Sequence, residues 1–302
     1  MWNITLKKLW AVVLVILLAV TGYCVWQNND LTVSRSELVS RRVPEGFDGY
    51  TIVQISDLHN KEFGSRQKRL LGAVASQNPD LIVITGDMID SRNTDVNIAL
   101  ELARQAVELG PCYYVTGNHE SRVTEEYKEL KTGLEDCGVI VLENDKVRLQ
   151  AGNGQWAGHE TGRDEGAITL IGVQDPAFSG AYLQGDETAV MEGQLETLTE
   201  ENDGFTVLLS HRPELFDVYV SAGMNLVFSG HAHGGQWRLP GVGGLVAPGQ
   251  GFFPKYTAGA YSAAAGSTET TMYVSRGLGN SLIPVRIFNR PEIVVVELKH
   301  IN

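Results

Sequence analysis

Five short runs in this chain combine residue types that can hold a metal ion or move a proton. They are "DLH" at 57–59, "GDMID" at 86–90, "GNHE" at 117–120, "SHRPE" at 210–214 and "GHAH" at 230–233. Together they hold five of the seven histidines, His59, His119, His211, His231 and His233, with Asp57, Asp87, Asp90 and Asn118. Carboxylates, imidazoles and a carboxamide oxygen suit borderline-to-hard divalent ions such as Mn, Fe, Zn or Mg, and not copper(I) or an iron–sulfur cluster. Two such ions held about 3.5–4 Å apart need a shared carboxylate to offset their repulsion. A short aspartate on a glycine turn, as Asp87 is, can reach both. Taken singly, each histidine reads as a structural or surface residue, and Asp57 or Asp87 as a turn cap. The joint occurrence favours one shared site.

The elements that must position these residues are legible around them. Each run follows an apolar, β-rich segment: "YTIVQIS", "DLIVIT", "CYYVT", "FTVLLS" and "NLVFSG". Helical spacing of apolar residues marks "RQKRLLGAVASQ", "VNIALELARQAVEL" and "EEYKELKTGLEDCG" between strands, and "VIVLEN" is a further strand. Such β-α-β-α-β alternation predicts crossover connections and a sheet with helices on its faces. Ligands gather beyond the carboxyl ends of strands in sheets of this kind, so five loaded strand ends can converge. The second half adds the strands "AITLIGV", "TMYVS" and "EIVVVEL" but one long helical segment, "TAVMEGQLETLTEEN". This predicts a second, mixed sheet packed on the first within a single domain. The patch "AGAYSAAAGSTETT" at 258–271 reads as a flexible loop, and His159 falls in a glycine-rich loop.

With 302 residues, 43% of them hydrophobic, the chain can bury a large core. Its formal charge of −12 argues against a nucleic-acid binder, which needs clustered Lys and Arg. The N-terminus departs from a soluble pattern. Lys7 and Lys8 precede the uncharged run "LWAVVLVILLAVTGYCVW" at 9–26, close to the ~20 residues that span a hydrocarbon core. The expected organisation is a cytoplasmic stretch 1–8, a transmembrane anchor 9–26, a juxtamembrane linker 27–46 and a catalytic domain 47–302. The basic pair before the apolar run predicts a single-pass protein of the cell membrane with that domain on the extracytoplasmic side. A cleaved signal peptide is the rival reading, with Ala19 and Thr21 the nearest small-residue pair. Cys112 and Cys137 could pair on an oxidising side or stay as buried thiols. Neither has the CxxC spacing of a zinc site.

In order and spelling, "DLH", "GDMID", "GNHE", "SHRPE" and "GHAHGG" resemble the signature blocks of the calcineurin-like metallophosphoesterases. The later runs "GHAHGGQWRLP" and "VSRGLGNSLIPVRIFNRPEIVVVEL" are similar to its membrane-associated bacterial branch of YkuE-, YaeI- and diacylglucosamine-pyrophosphatase-like proteins. The resemblance implies an α/β fold, two packed mixed β-sheets flanked by helices in a four-layer sandwich, behind one N-terminal transmembrane helix. It implies two divalent metal ions: one on Asp57, His59, Asp87 and His233, the other on Asp87, Asn118, His211 and His231, with Asp87 bridging. His119 would be catalytic and not a ligand, stabilising or protonating the leaving oxygen. The implied reaction is attack of a metal-bound hydroxide on a phosphodiester or pyrophosphate. A phosphomonoesterase or protein phosphatase and a non-catalytic metal-binding scaffold are the alternatives. The pattern departs at "GDMIDSR", which leaves Arg92 without an assigned role. Trp237, Leu239, Phe252 and Phe253 form an apolar lip in one reading and mere loop packing in another. The lip and the anchor together point to a lipid-linked or nucleotide-sugar lipid substrate. Arg212, Arg276 and Arg286 are candidate phosphate contacts, though ordinary salt bridges suit each.

Overall fold

The structure, a computed structural model, describes residues 2–151, 166–180, 185–200, 204–280 and 283–301. His159 lies outside the described residues. The chain begins with helix α1, Trp2–Asn29. Strands β1 (Thr32–Ser40), β2 (Thr51–Ile55), β3 (Leu81–Thr85), β4 (Cys112–Val115) and β5 (Ile140–Val141) follow, with helices α2 (Lys68–Ala75), α3 (Val96–Ala106) and α4 (Thr124–Asp136) between the last four. Then come β6 (Asp145–Gln150), β7 (Ala167–Gly172), α5 (Glu187–Thr199), β8 (Phe205–Leu209), α6 (Phe216–Ser221) and β9 (Leu226–Ser229). Four two-residue strands, β10 (Arg238–Leu239), β11 (Gly243–Gly244), β12 (Val246–Ala247) and β13 (Gly251–Phe252), lead to β14 (Gly259–Ala265), β15 (Thr268–Val274) and β16 (Glu292–His300).

Twelve of these strands make two six-stranded mixed sheets, ordered β1-β16-β2-β3-β4-β5 and β14-β15-β9-β8-β7-β6, while β10-β11 and β12-β13 pair separately. The run β2–β5 is parallel, as is β7-β8-β9-β15, so each sheet has a parallel centre with antiparallel joins beside it. Strand side chains alternate between faces, and here both faces are dry. In β3, Ile82 and Ile84 pack under the helices, whereas Leu81 and Val83 enter the core between the sheets. In β9, Leu226 and Phe228 face that middle core while Val227 packs with α5 and α6. Three hydrophobic layers therefore separate four layers of structure, and the central strands read as continuous apolar runs because both faces are covered. Two helices begin at aspartate caps: the Asp95 side chain accepts from Asn97 N at the start of α3, and Asp186 from Ala189 N at the start of α5.

Two expectations need correction, and one open alternative is decided. Residues 32–40, placed in a linker, form β1, paired in parallel with β16 along its whole length. The alternation of small and larger residues there gives a strand with one half-buried face. The Gly/Ala/Ser/Thr patch is not a loop but the β14–β15 hairpin, with Ser262 opposite Thr271 and a turn at Gly266, φ 60°. Small side chains tolerate an edge strand, and composition hid the period of two. The cysteines are unpaired thiols, Cys112 buried and Cys137 half-buried.

Helix α1 contains a 24-residue stretch, Leu6–Asn29, of mean hydropathy 2.4 whose apolar side chains lie unburied. At about 1.5 Å per residue it is long enough to cross a hydrocarbon core of about 30 Å.

Candidate metal centre

The five chemistry-bearing runs follow β2, β3, β4, β8 and β9, and their side chains meet beyond the carboxyl ends of those strands. Three sets of donor atoms lie together, all buried: Asp57, His59, Asp87 and His233 in the first, Asp87, His211 and His231 in the second, and His59, Asp90 and His119 in the third. Within the first set, His59 Nε2 is 3.2 Å from His233 Nε2 and 3.5 Å from Asp87 Oδ2, and His233 Nε2 is 3.4 Å from Asp57 Oδ1. In the second, His211 Nε2 is 3.3 Å from Asp87 Oδ2 and 3.1 Å from His231 Nδ1. Ligands at about 2.1 Å from one ion stand about 3.0–3.4 Å apart for angles between octahedral and tetrahedral. The observed spacings match that. Asp87 Oδ2 belongs to the first two sets.

Asn118 Oδ1 is buried and has no hydrogen-bond partner. A buried orphan acceptor is costly and calls for an explanation, and a cation beside it is one. His211 donates Nδ1–H to Thr85 O at 2.7 Å, which aims Nε2 at Asp87.

The backbone at these positions is strained. Asp57, His59, Asp87, His231 and His233 all have left-handed φ, between 46° and 65°. Such conformations cost non-glycine residues roughly 1–3 kcal/mol each and cluster at functional sites. Glycines make the approach possible at two points. A Cβ on Gly117 would land on the Asp87 carboxylate, and one on Gly230 on Ser56 and Asp57.

What holds the strained loops is a residue that sequence reasoning passed over. Glu120 is wholly buried, and its carboxylate accepts from four backbone N–H groups: Met88 at 2.8 Å, Gly117 at 2.9 Å, Asp87 at 3.1 Å and Ile89 at 3.4 Å. It pins the loops after β3 and β4 together. Burial and then the Asp87 charge push its pKa up to about 8, while the four donors favour the ionised form.

Charges in the site are mutually adjusted. Burial raises Asp57 to about 6, against His211, whereas Asp87 sits well below the carboxylate range because His211, His59 and His119 outweigh its burial. Burial lowers His59 to about 3 and holds His231 and His233 well below the usual range. His211 goes the other way: burial opposes its charge, but Asp87 and Asp57 lift it to about 10. A cation between these groups would replace the His211 proton as the compensating charge, since metal binding releases ligand protons.

His119 stands outside the first two sets and belongs to the third, with Nδ1 3.9 Å from Asp90 Oδ1. Its backbone N–H donates to Asp87 Oδ1 at 2.8 Å and its ring packs edge-on against His59. Ser91 N–H donates to Nδ1 at 3.1 Å, so the ring proton resides on Nε2. Burial lowers the ring's pKa. His119 lines an open cavity of about 100 Å³ together with Asp87, Asn118, His231, His233, Arg92 and Arg122.

Arg92 folds back on Asp90, with Nη2 2.7 Å from Oδ2 and Nε 3.1 Å from Oδ1. Arg92 and Arg122 each follow a loaded motif residue by two positions, a cue that sequence reasoning left unused. The three arginines it named do not line the cavity. Arg212 is bound to Asp175 through two hydrogen bonds of 2.6 and 2.9 Å. Arg286 is buried and donates to the carbonyls of Arg276, Gly279 and Asn289 and to Asn280 Oδ1. Arg276 pairs with Glu292. Phe252 and Phe253 are exposed and do not serve as loop packing, whereas Trp237 is partly covered and donates Nε1–H to Val285 O at 3.0 Å.

Residues 50–235 match the family model described as calcineurin-like phosphoesterase. The metallophosphoesterase YkuE of Bacillus subtilis is 33% identical over 87% of this chain and 84% of its own. A zebrafish transmembrane protein with a metallophosphoesterase domain is 31% identical over 87% of this chain and 56% of its own. The phosphodiesterase YaeI of Escherichia coli is 27% identical over 82% of each.

Proposed function

The chain belongs to the calcineurin-like phosphoesterases and is a metal-dependent phosphoester hydrolase of a family that uses two divalent ions; from that premise we propose how its own residues divide the work. Asp57, His59, Asp87 and His233 hold one ion, and Asp87, Asn118, His211 and His231 hold the second. The observation that carries this reading is the position of Asp87 Oδ2, common to the first two donor sets. The unpartnered Asn118 Oδ1 and the His211 Nε2 aimed at Asp87 support it. Ions so held supply positive charge that lowers the proton affinity of water and stabilises phosphate oxygens.

His119 remains free of the ions and donates from Nε2 to the oxygen on which charge develops as the bond to phosphorus breaks. Its Nδ1 is occupied by the Ser91 N–H, which fixes the tautomer. Arg122 and Arg92 border the same cavity and orient a phosphoryl group there. The bond cut is a phosphodiester or pyrophosphate, in keeping with the phosphodiesterase name of the YaeI relative. Helix α1 anchors the enzyme as a single-pass membrane protein. Residues 1–8 are cytoplasmic, the segment 9–26 crosses the bilayer, and the catalytic domain is extracytoplasmic, where a lipid-linked substrate is accessible. The transmembrane relatives and the unburied apolar face of α1 support the anchor.

Purified full-length protein, stripped of metal by a chelator and reloaded with Mn, Fe, Zn or Mg in turn, is assayed with bis-p-nitrophenyl phosphate. Turnover that returns with at least one ion is expected. Inactivity with every ion would leave a metal-binding scaffold instead. Protease accessibility in intact cells tests the orientation.

A further inference from the structure

Charge is unevenly placed along this chain. Between Asp217 and Glu292 the sole acidic side chain is Glu269, against Arg238, Lys255, Arg276, Arg286 and Arg290, in a protein of formal charge −12. Within that region the segment 237–253 turns large apolar side chains outward. Phe252 is 82% exposed, Phe253 71%, Val242 59% and Leu239 44%, and nearby Phe288 is 54% exposed. Single exposed apolar residues are ordinary, but a contiguous set marks an interaction surface.

Backbone bonds make this set contiguous with α1. Phe253 N donates to Leu245 O, Leu245 N to Trp237 O and Arg238 N to Ile287 O, each at 2.9 Å. The Phe288 ring then packs edge-on against Tyr23 of α1, centroids 5.8 Å apart. The end of the helix is built into the domain: Asn289 N donates to Gln27 Oε1 at 3.0 Å, and Asn280 Nδ2 to Asn28 Oδ1 at 2.8 Å. The patch is thus held at a fixed height beside α1. Tyr23 lies one turn before Gln27, about 6 Å further along the axis. Tyr23 and Trp26 are the aromatic residues expected where a spanning helix meets the headgroups.

We propose that the segment 237–253, with Phe288, is a second membrane contact, which sinks its aromatic side chains into the headgroup–acyl boundary of the bilayer that α1 crosses. The inference rests on the reading of α1 as a membrane span. The near-absence of acidic side chains and the exposed Lys255 suit anionic lipid headgroups. The same segment reaches the metal centre. Asn289 Nδ2 donates to His233 O at 2.7 Å and to Gln236 O at 2.9 Å, and Pro248 borders the cavity. A phosphoester carried on a lipid therefore meets the cavity without leaving its leaflet.

The test uses nitroxide labels on the full chain, with Cys24 and Cys137 changed to Ala, in nanodiscs of phosphatidylethanolamine and phosphatidylglycerol. Labels are placed by Val15→Cys in α1, Phe252→Cys in the patch and Glu108→Cys beyond the opposite ends of the strands. Relaxation by oxygen is compared with relaxation by a water-soluble nickel chelate. The expected oxygen-to-nickel ratio is several-fold higher at 15 and 252 than at 108. A label at 252 that behaves like 108, with 15 still lipid-buried, overturns the second contact and leaves the anchor standing. A label at 15 that behaves like 108 overturns the anchor and the contact with it.

Discussion

The first half of the sandwich brings Asp57, Asp87 and Asn118 to the centre, with His59 and His119; the second half brings only imidazoles, His211, His231 and His233. The halves are also held differently. Loops of the first converge on one buried carboxylate, Glu120, through backbone N–H groups. In the second, the loop after β8 carries a buried ion pair, Arg212 with Asp175, and the loop after β9 is tied by Asn289. In the proposed assignment, one side would supply negative charge to the cations and the other imidazole nitrogen. Removing a residue from the first half should change the charge balance, and from the second mainly the geometry.

The largest effect expected is that of Asp87→Asn, set against His233→Ala. Asp87→Asn removes the shared carboxylate charge, so both ions are lost and turnover falls by about 10³-fold or more, the scale set by loss of the metal-activated nucleophile. His233→Ala weakens one ion and keeps more activity. Elemental analysis beside kinetics reads both outcomes, and an Asp87→Asn protein with two ions would break the comparison. Next comes His119→Ala, for which about 10²–10⁴-fold loss of turnover is expected with both ions retained. Metal loss in that variant would make His119 a ligand.

Glu120→Gln sharpens the contrast in how the halves are held. The amide offers N–H where backbone donors converge, so metal affinity should fall about 10–100-fold, as for other outer partners of ligands. Titration of the apo protein with Mn measures this, and unchanged affinity would remove Glu120 from the clamp. The smallest effect on turnover is expected from Arg212→Leu, which leaves Asp175 buried and unpaired. Its effect falls on stability, about 3–5 kcal/mol, read by urea denaturation. A loss below 1 kcal/mol, the scale of exposed pairs, would mean that the pair contributes little to the second half.

Much of this was legible in the sequence. Apolar runs such as "DLIVIT" and "NLVFSG" announce buried strands by length and composition alone, and the polar residues after them mark where strands end. Other features were hidden for identifiable reasons. The β14–β15 hairpin is built of Ala, Ser, Thr and Gly, whose small side chains give a weak hydrophobic period. Glu120 looked like one more acid in a motif, because its four partners are backbone groups that no side-chain pattern reveals. Arg212 and Arg286 carry the charge a phosphate needs, but burial gives their donors to Asp175 and to carbonyl oxygens. The stretch 27–46 looks like a tether because its polar composition conceals both the pairing of β1 with β16 and the seating of Gln27 and Asn28.

Local order along the chain determined which segments become strands and helices, and which chemistry-bearing side chains stand at strand ends, since both depend on neighbours within a few positions. Packing alone decided that His233 Nε2 comes within 3.4 Å of Asp57, that Asp87 serves two sets of donors, and that an exposed aromatic segment lies beside α1. Those contacts join residues far apart in sequence, and their geometry follows from the stacking of the two sheets.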